Sequence, residues 1–179
     1  MVKSGLVDDP RVSQFRLTAH LGLALAIFAA MFWLALSLIR PADGRGGGAL
    51  VALQRVSTAL AWVVFAMALT GGLVAGIRAG FAYNTFPLMH GHVVPPEILM
   101  LEPWWRNFFY NMATVQFDHR ALAWVLALVV PAFWWRVRRN PDASRTIRLA
   151  ADAMLAALAA QIALGIATLV NVVPLPCGG

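Results

Sequence analysis

The chain has 179 residues, 60% of them hydrophobic and 12% charged, with a net charge of +6 and a mean hydropathy of +0.71. Soluble domains carry about a quarter charged residues, so this composition excludes an ordinary water-soluble domain. The arginines are divided among short segments between apolar runs, which excludes a nucleic-acid surface and makes the positive charge an orientation signal.

Residues Met1 to Pro10, which include Asp8 and Asp9, contain neither an apolar core nor a cleavage pattern, so no cleaved signal peptide is expected there. A charge-free apolar stretch then runs from Leu17 to Ile39 and is closed by Arg40, Pro41 and the Gly-rich turn Asp43–Gly48. A second stretch covers Val51 to Ile77, with Arg55 near its start, where a long side chain can snorkel to the interface. The third, Val115 to Trp135, has Asp118, His119 and Arg120 in its first turn, and Pro131 is expected to kink its far end. The fourth, Ile147 to Val173, carries Asp152 and stops at Pro174 and Pro176. Each is long enough for a bilayer, which needs roughly 20 apolar residues. The expected fold class is therefore an all-α integral membrane protein with about four transmembrane helices.

The connections set the orientation. The first is basic through Arg40 and Arg45. The third carries Arg136, Arg138, Arg139, Arg145 and Arg148 against Asp142. The middle segment, residues 78–114, balances Arg78 and Arg106 with Glu97 and Glu102. The positive-inside rule places the first and third connections in the cytoplasm and residues 78–114 outside. That outer segment holds Phe81, Tyr83, Phe86, Trp104, Trp105, Phe108, Phe109 and Tyr110. Two readings stand: an aromatic belt at the headgroup level, or a lid over a bound ligand.

His20 and His119 lie near the outer ends of the first and third stretches, each with an arginine nearby, Arg16 and Arg120. An ionisable group at that depth is costly and marks a functional site by default. Neutral imidazole is a good axial ligand for haem iron, and a guanidinium suits a porphyrin propionate. An interhelical hydrogen bond at the interface is the alternative, and the residues alone leave both open. Asp118 diverges from His119 by about 100° on a helix and is expected to be a cap or a partner of Arg120. Gln116, or a backbone carbonyl, is expected to orient His119. His90 and His92, around Gly91, are expected to be exposed loop residues. Gly72 and Gly76 form a small face that lets two helices approach closely. Met31, Met67, Met112 and Met154 are expected to be lipid-facing or core residues, and Glu97 and Glu102 surface carboxylates. The lone Cys177 cannot form an internal disulfide.

Several segments together resemble the haem A synthase family. They are Met1–Leu6 followed by Arg16-Leu17-Thr18-Ala19-His20-Leu21; Gly72-Leu73-Val74-Ala75-Gly76 leading to Ala79–Met89; Val115-Gln116-Phe117-Asp118-His119-Arg120; and Gln161–Leu169. They span nearly the whole chain in the family's order and spacing. The resemblance implies an eight-helix fold of two pseudo-symmetric four-helix halves, of which this chain is the middle part. It implies oxidation of a ring methyl of haem O to the formyl group of haem A, with haem b (iron) as cofactor in the C-terminal half and haem O as substrate in the N-terminal half.

On that resemblance His119 matches a cofactor-haem ligand and His20 one of the two histidines of the substrate half. Arg120 and Arg16 steady propionates, and Tyr83, Asn84 and Pro87 belong to a lid over the site. The family's catalytic glutamate, with another histidine, is expected before Met1, and the His-Gln partner of His119 after Pro176. The chain thus reads as about half of the full enzyme, with no catalytic residue assigned in it. His90 stands where many members carry an acidic residue. The implied organisation is residues 1–39 as the end of the N-terminal half, 40–50 as a cytoplasmic loop, and 51–179 as most of the C-terminal half with the lid 78–114. The setting implied is the bacterial inner membrane, with haem sites towards the outer face. Haem O synthase, cytochrome oxidase assembly factors and a second copy of the chain are the expected partners. The competing expectation is a non-catalytic haem-binding or oxidase-assembly module.

Overall fold

The structure is a computed structural model and describes residues 13–39 and 48–171. Arg40, Arg45, Asp8, Asp9, the Met1–Leu6 motif, Pro174, Pro176 and Cys177 lie outside the described residues. Among the described residues five α-helices follow in order: α1 (Gln14–Ile39), α2 (Gly48–Gly76), the one-turn α3 (Asn107–Tyr110), α4 (Met112–Arg139) and α5 (Arg145–Val170). Short 3-10 turns occupy Ala79–Phe81 and Trp104–Arg106. Among the described residues there is no β-strand, only an isolated bridge between Met89 and His92. α1, α2, α4 and α5 are each long and apolar enough to cross a bilayer. The chain is a multi-pass all-α membrane protein.

The first three long helices begin about three residues earlier than the apolar stretches predict. Local capping explains this for α4: the Asn111 side chain accepts from the Ala113 and Thr114 amides at 2.9 and 3.4 Å. Such a cap satisfies amides that the first helical turn leaves free. Ser144 caps α5 in the same way, accepting from Ile147 N at 3.3 Å. α5 ends at Val170 rather than Val173, with Asn171 Nδ2 donating to Ala167 O at 2.8 Å. α4 runs through Pro131 without interruption.

Lipid is as apolar as leucine, so these helices gain little by burying apolar faces and rely on close packing and polar contacts. α1 and α2 meet through glycine. A Cβ at Gly76 would fall 2.5 Å from Gln14 Cβ, and one at Gly72 would fall 2.9 Å from Thr18 Oγ1. Gly72 and Gly76 thus serve helix packing. A different edge of α2 faces α4, where Leu53, Leu60, Val63 and Met67 pack with Leu126, Val130, Phe133 and Val137. α4 and α5 are joined at the other end by Asp152, which accepts from Trp134 Nε1 at 2.7 Å and pairs with Arg138 at 3.6 Å. The turn between them is tied by Arg148, whose guanidinium donates to Ala143 O and Asn140 O, both at 3.1 Å.

Candidate functional site

The apolar stripe of α4 is Val115, Leu126, Val130, Phe133 and Val137, all buried. His119 falls on that stripe, four residues after Val115 and seven before Leu126, as the helical repeat requires. Its ring is turned into the bundle against α2. Nδ1 lies 2.8 Å from Thr70 Oγ1, and Cε1 would be 3.3 Å from a Cβ at Gly71. Thr70 extends the α2 stripe Leu53–Leu60–Val63–Met67 by one more step. The imidazole therefore occupies a notch made by a hydroxyl and a missing side chain. Because α4 begins at Met112, His119 lies about two turns inside the helix rather than in its first turn.

Gln116 and Arg120, one turn apart, form a neighbouring face of α4 that holds the outer segment. Gln116, only 3% exposed, donates from Nε2 to Tyr83 O at 2.8 Å. Arg120 Nη2 donates to Thr85 O at 2.9 Å and Tyr83 O at 3.1 Å, while Nη1 reaches Pro87 O at 3.4 Å. The sequence leads one to expect Gln116 or a backbone carbonyl to orient His119, and Arg120 to steady a propionate; here Gln116 and Arg120 both bond the backbone of the outer segment. The carbonyls of residues 83–87 converge on these two side chains, and Thr70 takes the position beside His119. Gln116 Oε1 and Arg120 Nε remain buried with no hydrogen-bond partner among the described residues. Asp118 neither caps α4, which Asn111 does, nor pairs with Arg120; among the described residues it has no ion pair.

The outer segment is ordered by polar contacts that its aromatic composition conceals. Asn107, fully buried, accepts from Leu101 N at 2.9 Å and donates to Leu101 O and Trp104 O, both at 2.8 Å. Asn111 Nδ2 donates to Glu97 O at 2.7 Å, and Leu99 N donates to Thr114 Oγ1 at 3.3 Å. Of the aromatic rings, Phe81, Phe86, Trp104, Trp105, Phe108 and Tyr110 are exposed, whereas Tyr83 is buried. The rings thus face outward like a belt, while the backbone beneath them is fastened over the end of α4. Tyr83 donates its hydroxyl to Glu97. Burial, with this acceptor second, pushes the Tyr83 phenol from 10.0 up to about 12, and the bond holds the Glu97 carboxyl below its usual range. Asn84 is exposed on this segment. His90 and His92 are also exposed, at the turn where His90 and Gly91 both take positive φ, 49° and 87°.

His20 and Arg16 are exposed on α1, one turn apart. Gln14, Thr18, Leu21 and Gly22 of α1 meet α2 at these glycine contacts. His20 lies about 200° round the helix from Thr18, on the face turned away from α2. Among the described residues no group of three or more His, Cys, Asp or Glu side chains could hold a bare metal ion.

The model of the cytochrome oxidase assembly protein family matches residues 1–178. The haem A synthase of Nitrosospira multiformis is 62% identical over 176 residues, which cover 98% of this chain and 49% of that protein. That of Nitrosomonas eutropha is 51% identical over 177 residues, covering 98% and 49%. The mouse protein named haem A synthase COX15 is 43% identical over 183 residues, covering 98% and 44%. The chain spans about half the length of the curated relatives it matches. No solved structure gives a significant match. By the family model and these relatives, over nearly its whole length, the chain belongs to the haem A synthase family of cytochrome oxidase assembly proteins.

Proposed function

We propose that the protein serves the oxidation of the haem O ring methyl to the formyl group of haem A, with His119 an axial ligand to the iron of a b-type haem. The observation that carries this reading is the imidazole of His119, set on the core stripe of α4 in the notch beside Thr70 and Gly71. The donor set fits such a group: a histidine whose Nδ1 is engaged and whose Nε2 has no hydrogen-bond partner among the described residues, next to a glycine that makes room for the ring. The unpartnered Arg120 Nε and Gln116 Oε1 add polar capacity at the same level. When bound, the haem supplies iron redox chemistry that no side chain of this site provides. The chain's own residues hold and enclose. His119 binds, while Gln116 and Arg120 keep Tyr83, Asn84 and the segment to Pro87 closed over the helix end.

In this reading His20 and Arg16 face the substrate haem O on the outer side of α1. Residues 1–39 then close the N-terminal half, 40–50 form a cytoplasmic loop, and 51–179 make most of the C-terminal half. The site faces the periplasm from the bacterial inner membrane. Haem O synthase, oxidase assembly factors and a second copy of the chain are the proposed partners. The catalytic residue lies outside the residues given a role here. The second reading is a haem-binding or assembly module without turnover, for which the His119 notch alone suffices.

Purified protein titrated with haem b is expected to give a Soret band that His119→Ala abolishes. Addition of haem O, reductant and air is expected to give formyl-haem, identified by mass. A Soret band unchanged in His119→Ala overturns the ligand assignment. A His119-dependent band without formyl-haem selects the module.

A further inference from the structure

We propose that Thr70 is a positioning residue that fixes the protonation and orientation of His119, so that Nε2 presents its lone pair. The inference rests on the reading of His119 as an iron ligand, but its physical basis is a proton count. The Thr70 hydroxyl has one proton, two neighbours and lone pairs to spare. It lies 2.8 Å from Met67 O and 2.8 Å from His119 Nδ1. The carbonyl can only accept, so the hydroxyl proton goes to Met67 O. Thr70 Oγ1 is then an acceptor towards the ring, and the proton between them must belong to Nδ1. The opposite tautomer forces one hydroxyl proton to serve two acceptors and loses a hydrogen bond.

A neutral imidazole protonated at Nδ1 carries its lone pair on Nε2, the form a metal requires. On the adjoining side the ring packs against α2 at Gly71, where a Cβ would fall 3.3 Å from Cε1 and 3.9 Å from Nδ1. A methyl there would press on Cε1, the atom next to Nε2. Thr70 and Gly71 therefore act as a pair: one accepts a hydrogen bond from Nδ1, the other leaves room for the Cε1–Nδ1 side of the ring. Neither residue belongs to α4, so this supporting contact comes from the neighbouring helix.

The test uses the full chain in detergent, without and with haem b. In the haem-free protein, 15N spectra at about pH 8, above the ordinary imidazole value of about 6.5, report the tautomer of each histidine. His119→Ala identifies the signal. Wild type and Thr70→Ser are expected to show the proton on Nδ1, and Thr70→Val a mixture. With haem, Thr70→Val is expected to weaken binding about 10- to 100-fold, as loss of a ligand's hydrogen-bond partner does, and to shift the iron–histidine stretching band in the ferrous state. Thr70→Ser restores both. If His119→Ala abolishes the Soret band while Thr70→Val leaves tautomer, affinity and stretching band at wild-type values, the inference about Thr70 is overturned and the ligand assignment stands. If the Soret band survives His119→Ala, the ligand assignment falls, and the haem-free spectra still decide the tautomer.

Discussion

Arg120→Ala tests whether the outer segment is a fastened lid. The guanidinium makes two bonds of good length, to Thr85 O at 2.9 Å and Tyr83 O at 3.1 Å, and a longer one to Pro87 O at 3.4 Å. Hydrogen bonds to a charged group contribute about 1.5–3 kcal/mol each. Counting only the two shorter bonds, and halving them because part of this site faces solvent, gives about 1.5–3 kcal/mol of local stability. At about 1.4 kcal/mol per tenfold, opening of the segment should rise about 10- to 150-fold. The reporters are the amides that the closed segment protects: Met89 N bonded to His92 O, His92 N bonded to Met89 O, and His90 N bonded to Thr85 Oγ1. Hydrogen exchange of peptides covering 82–92 should accelerate by that factor, with the middle of α4 unchanged. Gln116 still holds Tyr83 O, so release should be greater beyond Tyr83 than before it. Arg120→Lys, with one ammonium in place of a fork, should fall between. Protection of 82–92 within about threefold of wild type in Arg120→Ala, with helix content preserved, would refute the fastening.

Two further outcomes follow from the same geometry. In a Tyr110→Phe background, tyrosinate absorbance should develop around pH 12 rather than 10, because the buried Tyr83 phenol bonded to Glu97 favours its neutral form. Its contribution to the lid is full below about pH 10 and is lost as pH climbs towards 12, while that of Glu97, whose value is lowered, is lost on the acid side; a midpoint near 10 would contradict this. At the α1–α2 contact, Gly76→Ala puts a methyl 2.5 Å from Gln14 Cβ and 2.6 Å from its Cα, so backbone must move, at a cost of about 1–3 kcal/mol. Gly80→Ala, which meets nothing within 4 Å, is the control; equal thermal stability of the two variants in detergent would rule out the close approach.

The four spans were legible because the bilayer demands about 20 apolar residues whatever the helix packs against. Their ends were less so, since a cap such as Asn111 extends a helix past its apolar residues without changing the hydropathy. The packing role of Gly72 and Gly76 could be read from their four-residue spacing. Thr70 could not, although a signal existed: it continues the stripe Leu53, Leu60, Val63 and Met67 where another apolar residue is due. A hydroxyl at that step, on a helix that faces a histidine, marks a polar contact, but only the pairing of α2 with α4 shows which histidine. Asn107 and Thr114 were hidden for a similar reason. Their partners are backbone groups, Leu101 and Trp104 for Asn107 and Leu99 for Thr114, and backbone groups leave no trace in composition. The aromatic residues drew attention to the outer segment, yet most of its order comes from asparagine, glutamine and arginine.

The same packing separates the two histidines that first drew attention by their similar surroundings. α2 has two working edges. One, with Gly72 and Gly76, receives Thr18 and Gln14 of α1; the other, with Thr70 and Gly71, receives His119 of α4. His20 is on the far side of α1 from that first contact, with Arg16 one turn before it. For both imidazoles to reach one iron, α1 would have to turn by about half a revolution. That would take Thr18 and Gln14 out of the glycine contact, where no larger side chain fits. The two imidazoles therefore do not converge: one lies inside the α2–α4 pair and one on the open face of α1. Gly72 and Gly76 set this separation although neither touches a histidine, because they determine which face of α1 is left free.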